Sequence, residues 1–324
     1  MIRRIGILTS GGDAPGMNAA IRSVARTCLH YDVECICIRR GFNGLISGDF
    51  MPLNAAAVKG ISRRGGTILY AARSDEFRTP EGKQKAVNTC KMIGLDGLIG
   101  IGGDGTFQGL HSLAVRGVPV IAIPGTIDND IACSSYTIGF DTACNTALDA
   151  IDKLQDTMES HERCSLVEVM GRNAGHIALN VGMACAATAV LLPEKPFELE
   201  RDVIEPIRDA RLSGRTHFMI IVAEGAGDTY EIAKQITEVT TLDTRVTVLG
   251  HVQRGGAPTS RDRAIATYMG YNAVELLMQG KSDRVVCMRG DAYVDFDITE
   301  ALTMRKGIDE KAYRLLRDIS SVVD

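Results

Sequence analysis

The sequence has no tryptophan and no excess of positive charge. Its 36 lysine and arginine residues are outnumbered by 40 aspartate and glutamate residues, so the net charge is −4. Proteins that bind nucleic acid need a basic surface to neutralise the backbone phosphates. The charge balance therefore argues against DNA or RNA as a partner, whereas the missing tryptophan excludes no class of function.

Long apolar runs and paired cysteine motifs are also missing. A membrane-spanning helix needs about 20 consecutive apolar residues, and the first apolar run, Ile5–Leu8, is too short for the core of a signal peptide. The nine cysteines show no CxxC spacing, and an odd number cannot be fully paired within one chain. We therefore expect a soluble, cytoplasmic protein with reduced thiols and no membrane partner.

The stretch from residue 97 to residue 130 is the most informative part of the chain. An apolar run leads into a glycine-rich turn around Asp104, and a second apolar run leads into a loop that holds Asp128. In an open parallel sheet, ligands bind beyond the carboxyl ends of the strands, so the turn and the loop should face one crevice. Glycines let backbone N–H groups approach a phosphate. Carboxylates beside a phosphate imply a divalent cation or a proton transfer, so we expect Asp104 to hold Mg²⁺ and Asp128 to act as a base.

Strands and helices alternate along the rest of the chain, which is long enough for two α/β domains. The segment 41–45 is expected to be a loop. The apolar patterns predict strands at 5–8, 34–38, 165–169, 190–192, 218–222 and 246–249, and helices at 18–30, 81–93, 136–159 and 270–278.

Hydrogen-bonding and cationic side chains follow three of the predicted strands of the second half. They are Arg172, Glu224, His251 and Arg254. Such groups at equivalent strand ends suit a phosphorylated polyol. A second glycine-rich turn, at residues 9–16, lacks the G-x-G-x-x-G spacing, so it is a poor dinucleotide motif.

Six motifs together resemble the phosphofructokinase family, in its bacterial form. They are TSGGDAPGMNAAIR at 9–22, IGGDGT at 101–106, PGTIDND at 124–130, YTIGFDTA at 136–143, VEVMGRNAG at 167–175 and TVLGHVQRGG at 247–256. The GGDG element alone also occurs in NAD kinases and diacylglycerol kinases. NAD kinases lack the PGTIDND and MGR motifs, so the complete set favours the phosphofructokinases.

The resemblance implies two Rossmann-like, three-layer α/β/α domains with mainly parallel sheets and an active site in the cleft between them. The ATP-binding domain would hold residues 1–138 and 252–303, and the fructose 6-phosphate-binding domain would hold residues 139–251 and 304–324. The implied reaction transfers the γ-phosphoryl group of Mg·ATP to the 1-hydroxyl of fructose 6-phosphate. The implied assembly is a homotetramer whose substrate sites are shared between chains.

The resemblance also assigns residues to that reaction. Those implied for ATP binding are Gly12, Arg73, Ser74, Gly103, Asp104, Gly105, Thr106 and Gly109, with Asp104 as the Mg²⁺ ligand. Those implied for fructose 6-phosphate binding are Thr126, Asp128, Asp130, Met170, Gly171, Arg172, Glu224, His251 and Arg254, with Arg163 and Arg245 supplied by a neighbouring chain. The catalytic group would be Asp128 as the base, with Arg73, Thr126, Arg172 and Gly12.

Two alternative functions remain open. Pyrophosphate-dependent relatives typically have aspartate where Gly105 stands and lysine where Gly125 stands, and an acidic side chain at 105 would repel the α-phosphate of ATP. A non-catalytic nucleotide-binding regulator would be expected to have lost Asp128 or Arg73, and both are present.

Regulation is the point at which the chain departs from the family pattern. In the family, an effector pocket binds ADP or phosphoenolpyruvate through basic residues and one glutamate, and Arg22, Arg26 and Arg215 match basic positions. The positions that depart from the pattern are Ala55, Gln155 and Ser213, which are basic in regulated relatives, and Thr188, which replaces the glutamate. Because charge-assisted contacts to phosphate are strong, their loss predicts weak coupling to these effectors.

Overall fold

A computed structural model describes residues 2–320, which form two compact α/β units. The first unit holds the described residues up to Ile127 together with Ile131–Thr142 and Arg254–Lys306. The second unit holds Asp128–Asp130, Ala143–Gln253 and the described residues from Gly307 onward. No helix within residues 2–320 is both long and apolar enough to cross a bilayer.

The first unit is built on a seven-stranded sheet with the order β11-β10-β5-β4-β1-β2-β3. The β2–β3 and β10–β11 pairs are antiparallel, and the other pairs are parallel. Strands buried on both faces read as continuous apolar runs, which is why β1, β4 and β5 were predictable. The strands are β1 (Arg4–Thr9), β2 (Glu34–Ile38), β3 (Phe50–Pro52), β4 (Gly97–Gly102), β5 (Val120–Pro124), β10 (Arg284–Arg289) and β11 (Ala292–Asp297).

Helices connect these strands and cover the sheet. They are α1 (Met17–His30), α2 (Gly41–Ser47), α3 (Pro80–Met92), α4 (Asp104–Ala114), α9 (Ser260–Met278) and α10 (Ile298–Thr303). The expectation of a loop at 41–45 was wrong, because α2 begins there. Two glycines disguised this helix in the sequence, and one of them is required: a Cβ at Gly44 would lie 1.8 Å from the carbonyl oxygen of Arg39. The helix is stabilised by Phe42, whose ring stacks on Phe77 at a centroid distance of 4.1 Å.

The second unit has a four-stranded parallel sheet with the order β7-β8-β6-β9. Its strands are β6 (Cys164–Val169), β7 (Ala189–Leu191), β8 (Phe218–Ala223) and β9 (Thr244–Val248), and its helices are α6 (His176–Ala184), α7 (Glu205–Leu212), α8 (Thr229–Thr240) and α11 (Glu310–Ser320). The strand β8 is buried throughout, whereas β9 is an edge strand that is partly exposed, contrary to the expectation that it is buried. The prediction of α/β units with mainly parallel sheets is confirmed.

The long helix α5 (Phe140–His161) begins four residues later than the sequence pattern predicted. Gly139 has φ +107°, a left-handed backbone conformation that a helix cannot include. Tyr136 and Gly139 are instead bonded to the side chain of Asp262, which lies in α9. A long-range contact therefore decides where this helix begins.

The β10–β11 hairpin was not predicted, because only β10 contains a short buried run, Val285 to Cys287, and the residues of β11 are partly buried or exposed. An ion pair joins its two strands: Arg284 Nε donates to the Asp295 carboxylate at 2.6 Å, and Lys281 Nζ lies 3.2 Å from the other oxygen. Partial burial alone would raise the pKa of Asp295, but these two cations outweigh it and lower that pKa below its ordinary value.

We predict that Asp295→Asn lowers the free energy of unfolding by about 1–3 kcal/mol at pH 7, the usual cost of losing hydrogen bonds to a charged group. A carboxylate with a depressed pKa stabilises the fold above its unfolded-state pKa of about 3.9, and this contribution is lost as the pH falls further. Urea denaturation should therefore separate the variant from the wild type at pH 7 and much less at pH 3. Asp291→Asn, in the exposed turn of the same hairpin, is the control; an equal effect of both variants at pH 7 would contradict the prediction.

Candidate active site

The loops that follow β1, β4 and β5 are joined by hydrogen bonds beyond the strand ends. The amide of Ser10 donates to the carbonyl of Ile101 at 3.1 Å, and the amide of Gly125 donates to the carbonyl of Gly102 at 3.0 Å. The hydroxyl of Thr106 donates to the carbonyl of Ser10 at 3.2 Å. These loops therefore lie side by side at one edge of the first sheet.

The glycine-rich turn after β4 leaves open space at the start of α4. A Cβ at Gly103 or at Gly105 would have no neighbour within 4 Å. Asp104 is the first residue of the helix and is exposed. The amides of a helical first turn attract anions, so this turn can accept a phosphate group.

The same turn fits a magnesium ion bound together with a phosphate. Mg²⁺ is usually held by one or two carboxylates and by substrate phosphates, with water completing its shell. Asp104 offers an exposed carboxylate beside the open space at Gly103 and Gly105. Within residues 2–320 no group of three or more acidic, histidine or cysteine side chains could hold a metal ion by itself. The donor set at Asp104 thus suits a metal that arrives with its phosphate ligand.

Gly12 and Arg254 lie in direct contact, although 242 positions separate them in the chain. A Cβ at Gly12 would stand 2.6 Å from Nη1 of Arg254, so a side chain there would displace the guanidinium group. The same Nη1 donates to the carbonyl of Asp13 at 3.2 Å. The structure therefore brings together one residue expected to bind ATP and one expected to bind the sugar phosphate.

The other residues expected to bind ATP have different surroundings. Arg73 is exposed, and the segment before it is fixed to the sheet by a bond of 3.0 Å from the Thr9 hydroxyl to the Tyr70 carbonyl. The hydroxyl of Ser74 accepts the amide of Phe77 at 3.2 Å. Gly109 is buried, and a Cβ there would lie 2.5 Å from the ring of Phe42. Packing alone therefore explains glycine at position 109.

The loop after β5 contributes Thr126 to the first unit and the two aspartates Asp128 and Asp130 to the second. The carbonyl of Thr126 accepts the hydroxyl of Thr137 at 2.7 Å. Asp128 is buried, and its Oδ2 lies 3.5 Å from Nε of Arg172 in an ion pair. The structure thus brings the expected base into contact with one of the expected catalytic arginines.

Glu224 fixes the loop that carries Arg172. Its Oε1 accepts the amide of Gly171 at 3.2 Å and the amide of Arg172 at 2.6 Å. Arg172 has φ +55°, a left-handed conformation that is unfavourable for a residue with a side chain. The two bonds to Glu224 compensate for this conformation, so Glu224 has a structural role in addition to any contact with substrate.

Gln253 belongs to the site but was not singled out in the sequence. Its side chain is fully buried, and its Oε1 accepts the amide of Met170 at 2.8 Å. Its neighbour His251 lies in the same short helical turn, Gly250–Arg254, and is exposed. The position of Gln253 inside the TVLGHVQRGG motif is the only sequence signal that could have indicated this role.

Arg163 and Arg245 lie at the opposite edge of the second sheet from Arg172. Arg163 precedes β6 and Arg245 lies at the start of β9, whereas Arg172 follows the carboxyl end of β6. Six residues of strand separate the two edges, which corresponds to about 20 Å. Both arginines bind Asp243, at 2.6 and 3.0 Å. Desolvation alone would raise the pKa of Asp243, but these two cations outweigh it and lower that pKa.

Comparison with known proteins identifies the same family as the six sequence motifs. A family model described as phosphofructokinase matches residues 4–277. The chain belongs to the phosphofructokinase family. It is 52% identical over 319 residues to the ATP-dependent 6-phosphofructokinase of Clostridium tetani, which covers 98% of this chain and 100% of the relative. It is 50% identical to the enzyme of the same name from Clostridium botulinum over 322 residues, or 99% of each chain.

The fold of the family member from Saccharomyces cerevisiae is also similar. That phosphofructokinase superposes with a TM-score of 0.89 at 31% sequence identity over 98% of this chain. The chain spans about half of the yeast chain, since the match covers 48% of it. The clostridial relatives, in contrast, are matched over essentially their whole length.

The residues expected to form an effector pocket are divided between the two units. Arg22 and Arg26 lie on α1 and line a depression of about 540 Å³ together with Tyr268 and Tyr271 of α9. Arg215 lies in the second unit. Two of the residues that depart from the family pattern donate hydrogen bonds to main-chain carbonyls: Gln155 to that of Cys185 at 3.2 Å, and Ser213 to that of Ala210 at 2.7 Å.

Gly225 packs closely against the main chain of Arg172. A Cβ at Gly225 would stand 2.1 Å from the carbonyl oxygen of Arg172, whereas a Cβ at Gly227 would meet its nearest neighbour at 3.6 Å. We predict that Gly225→Ala lowers the free energy of unfolding by about 1–3 kcal/mol, the typical cost of overpacking. Gly227→Ala, two residues further along the same loop, is the matched control. Thermal denaturation checks the difference, and equal melting temperatures for the two variants would show that the contact is relieved without cost.

Proposed function

We propose that the chain is an ATP-dependent 6-phosphofructokinase, which transfers the γ-phosphoryl group of ATP to the 1-hydroxyl of fructose 6-phosphate. The observation that carries the proposal is the buried Asp128 carboxylate, paired with Arg172 at 3.5 Å within the family's own motifs. The printed names of the clostridial relatives support ATP as the donor. The products would be fructose 1,6-bisphosphate and ADP, a step of glycolysis.

Residues of the first unit would bind ATP. The open turn at Gly103 and Gly105 would accept phosphate oxygens on its backbone amides, with Thr106 holding the turn against the loop after β1. The exposed guanidinium of Arg73 would neutralise charge on the transferred group. We accordingly assign ATP binding to residues 1–138 and 252–303. Of the remaining candidates, Gly12 and Ser74 would shape the site, whereas Gly109 would act through its packing against Phe42.

Asp128 would accept the proton of the 1-hydroxyl as the new O–P bond forms. Phosphoryl transfer requires alignment and neutralisation of charge more than covalent chemistry, so the other residues would orient the substrates. Thr126 would orient the transferred group, and Arg172, beside the base, would offset its developing charge. The sugar phosphate would be held by Met170, Gly171, Glu224 and His251, which lie in the range that we assign to its binding, residues 139–251 and 304–324. Asp130 and Arg254, from the other range, would complete the set.

Asp104 would hold Mg²⁺ together with the phosphates of ATP. When bound there, Mg²⁺ would supply positive charge that neutralises the phosphate oxygens. Two observations support the assignment: this carboxylate is exposed, and the space beside it, where a Cβ of Gly103 or Gly105 would point, is open.

We further propose a homotetramer in which Arg163 and Arg245 complete the substrate site of a neighbouring chain. Their place at the amino-terminal edge of the second sheet supports this, because Arg172 and Glu224 follow the carboxyl ends of the same parallel strands. About 20 Å of strand separates the two groups, which exceeds the reach of an arginine side chain toward a single small phosphate. The two arginines would therefore serve a second copy of the chain.

A pyrophosphate donor is less well supported. An aspartate at position 105 would project into open space, so the fold itself would tolerate it. Glycine at this position therefore leaves room for a ligand rather than for a neighbouring side chain, and the α-phosphate of ATP would occupy that room. A non-catalytic regulator is disfavoured because Asp128 is present and paired with Arg172.

We predict that the purified protein forms fructose 1,6-bisphosphate from fructose 6-phosphate with ATP, and that pyrophosphate does not support a comparable rate. Asp128→Asn should lower kcat by at least about a hundredfold, since a general base contributes about 10²–10⁴-fold. A coupled product assay measures turnover, and calorimetry checks that the variant still binds fructose 6-phosphate. Asp291→Asn is the control with normal turnover. Near-normal turnover of Asp128→Asn would rule out its role as the base, and a faster reaction with pyrophosphate would reverse the choice of donor.

We also predict that two inactive variants recover activity when they assemble together. In hybrids of Asp128→Asn and Arg245→Ala, some sites would receive Asp128 from one chain and Arg245 from the other. Hybrids of Asp128→Asn and Arg172→Ala are the matched control, because both residues would come from the same chain and no site would be intact. Refolded mixtures, shown by mass spectrometry to contain hybrids, are assayed. Recovery in neither mixture, or equally in both, would contradict a shared site.

A further inference from the structure

A buried carboxylate that the proposed reaction does not use is hydrogen-bonded through both of its oxygens. Asp262 lies in the first turn of α9 and is fully buried. Its Oδ1 accepts the hydroxyl of Tyr136 and the amide of Gly139, each at 2.7 Å. Its Oδ2 accepts the amide of Thr142 at 2.9 Å and the hydroxyl of the same residue. One side chain of α9 thus binds both ends of the segment 136–142.

Burial and hydrogen bonding have opposite effects on the ionisation of Asp262. Burial raises the pKa of Asp262 above its ordinary value, and the four hydrogen bonds oppose the rise by stabilising the carboxylate. Each oxygen accepts one main-chain amide, from Gly139 or from Thr142, so the NH2 group of an asparagine would face an N–H donor in either orientation. The site therefore requires two acceptor oxygens, which a carboxylate supplies.

The segment that this carboxylate holds is in turn bonded to the loop after β5. The amide of Ile138 donates to the carbonyl of Pro124 at 3.0 Å. The hydroxyl of Thr137 donates to the carbonyl of Thr126 at 2.7 Å. The two acceptors, Pro124 and Thr126, lie four and two residues before Asp128 in the chain. The main chain that leads to the proposed base therefore rests on the segment that Asp262 fixes.

We propose that Asp262 is a positioning residue for phosphoryl transfer: through the segment 136–142 it holds Thr126 and the main chain before Asp128 in the reactive orientation. The inference rests on the proposed function, since it concerns the same reaction. Misplacement of a reacting group by about 1 Å can cost about a hundredfold in rate. Asp262 itself touches neither proposed substrate and would act only through the residues it binds.

The first experiment compares Asp262→Asn with the wild type in the product assay with fructose 6-phosphate and ATP. We expect kcat to fall by about ten- to a hundredfold, while KM for ATP stays within about twofold, because the bonds from this segment lead to Pro124 and Thr126, before the base, and reach the glycine-rich turn only indirectly, through the bond from Gly125 to Gly102. A uniformly destabilised fold would instead lower the amount of active enzyme and leave kcat per active site unchanged. Hydrogen exchange adds a readout independent of activity: peptides that cover 124–127 and 136–142 should exchange faster in the variant.

Thr137→Val removes the hydrogen bond from Thr137 to the carbonyl of Thr126 and keeps the shape of the side chain. It therefore interrupts the proposed path from Asp262 at a second position. Loss of one hydrogen bond predicts a two- to tenfold fall in kcat, about what 0.5–1.5 kcal/mol corresponds to. Thr89→Val is the matched control, since Thr89 is also buried and donates to a backbone carbonyl, that of Lys85, at 3.2 Å. If both variants act through one path, Asp262→Asn with Thr137→Val should be little slower than Asp262→Asn alone.

The outcomes separate this inference from the proposed function. An inactive wild type would overturn the proposed function, and the exchange experiment would then decide whether Asp262 holds the loop. An active wild type with normal kcat in Asp262→Asn and Thr137→Val would overturn the inference alone. Should Asp262→Asn fail to fold, Thr137→Val decides: a kcat equal to that of Thr89→Val would overturn the path. Fully multiplicative effects in the double variant would overturn it as well.

Discussion

The close approach of backbone strands at the carboxyl edge of the first sheet is the constraint on which the site depends. A Cβ at Gly102 would stand 2.5 Å from the carbonyl oxygen of Ser10 and 2.2 Å from Oγ1 of Thr106. Any side chain at Gly102 would therefore separate the loops after β1 and β4 and break the bond from Thr106 to Ser10. The glycine-rich turn and the β1 loop keep their relative positions only because position 102 carries no side chain.

The direction of the strands imposes a second constraint, on the second sheet. Its four strands are parallel, so all residues that precede strands lie at one edge and all that follow strands lie at the other. Glu224 and Arg172 meet at the carboxyl edge because β8 and β6 are neighbours. Arg163 and Arg245 meet at the amino edge because β6 and β9 are neighbours. One chain thus presents arginines at two separate edges of one sheet, and this topology is consistent with a site shared between chains.

Much of this arrangement could be predicted from the sequence, because buried parallel strands are continuous apolar runs and the site residues follow their ends. The separation of Arg163 from Arg172 could also have been read from the sequence, since one precedes and the other follows the predicted strand 165–169. Other features could not be predicted from the sequence. Asp262 binds residues 120 to 126 positions away, and no local pattern distinguishes it from a capping aspartate. The helix α2 was missed because Gly44 is required by a contact and not by a turn.

The two glycines that distinguish ATP-dependent from pyrophosphate-dependent relatives, Gly105 and Gly125, are required for different physical reasons. They therefore differ in how much evidence each gives about the phosphoryl donor. A Cβ at Gly125 would lie 2.8 Å from a methyl group of Ile101 and 3.1 Å from the Met17 side chain, so packing in this chain already demands glycine there. A Cβ at Gly105 would meet nothing within 4 Å, so packing makes no demand. A position that packing constrains carries little information about a ligand, whereas an unconstrained glycine in a phosphate-binding turn is best explained by the ligand. The two positions have equal weight in a comparison of sequences. In physical terms, the inference that ATP is the donor depends mainly on Gly105.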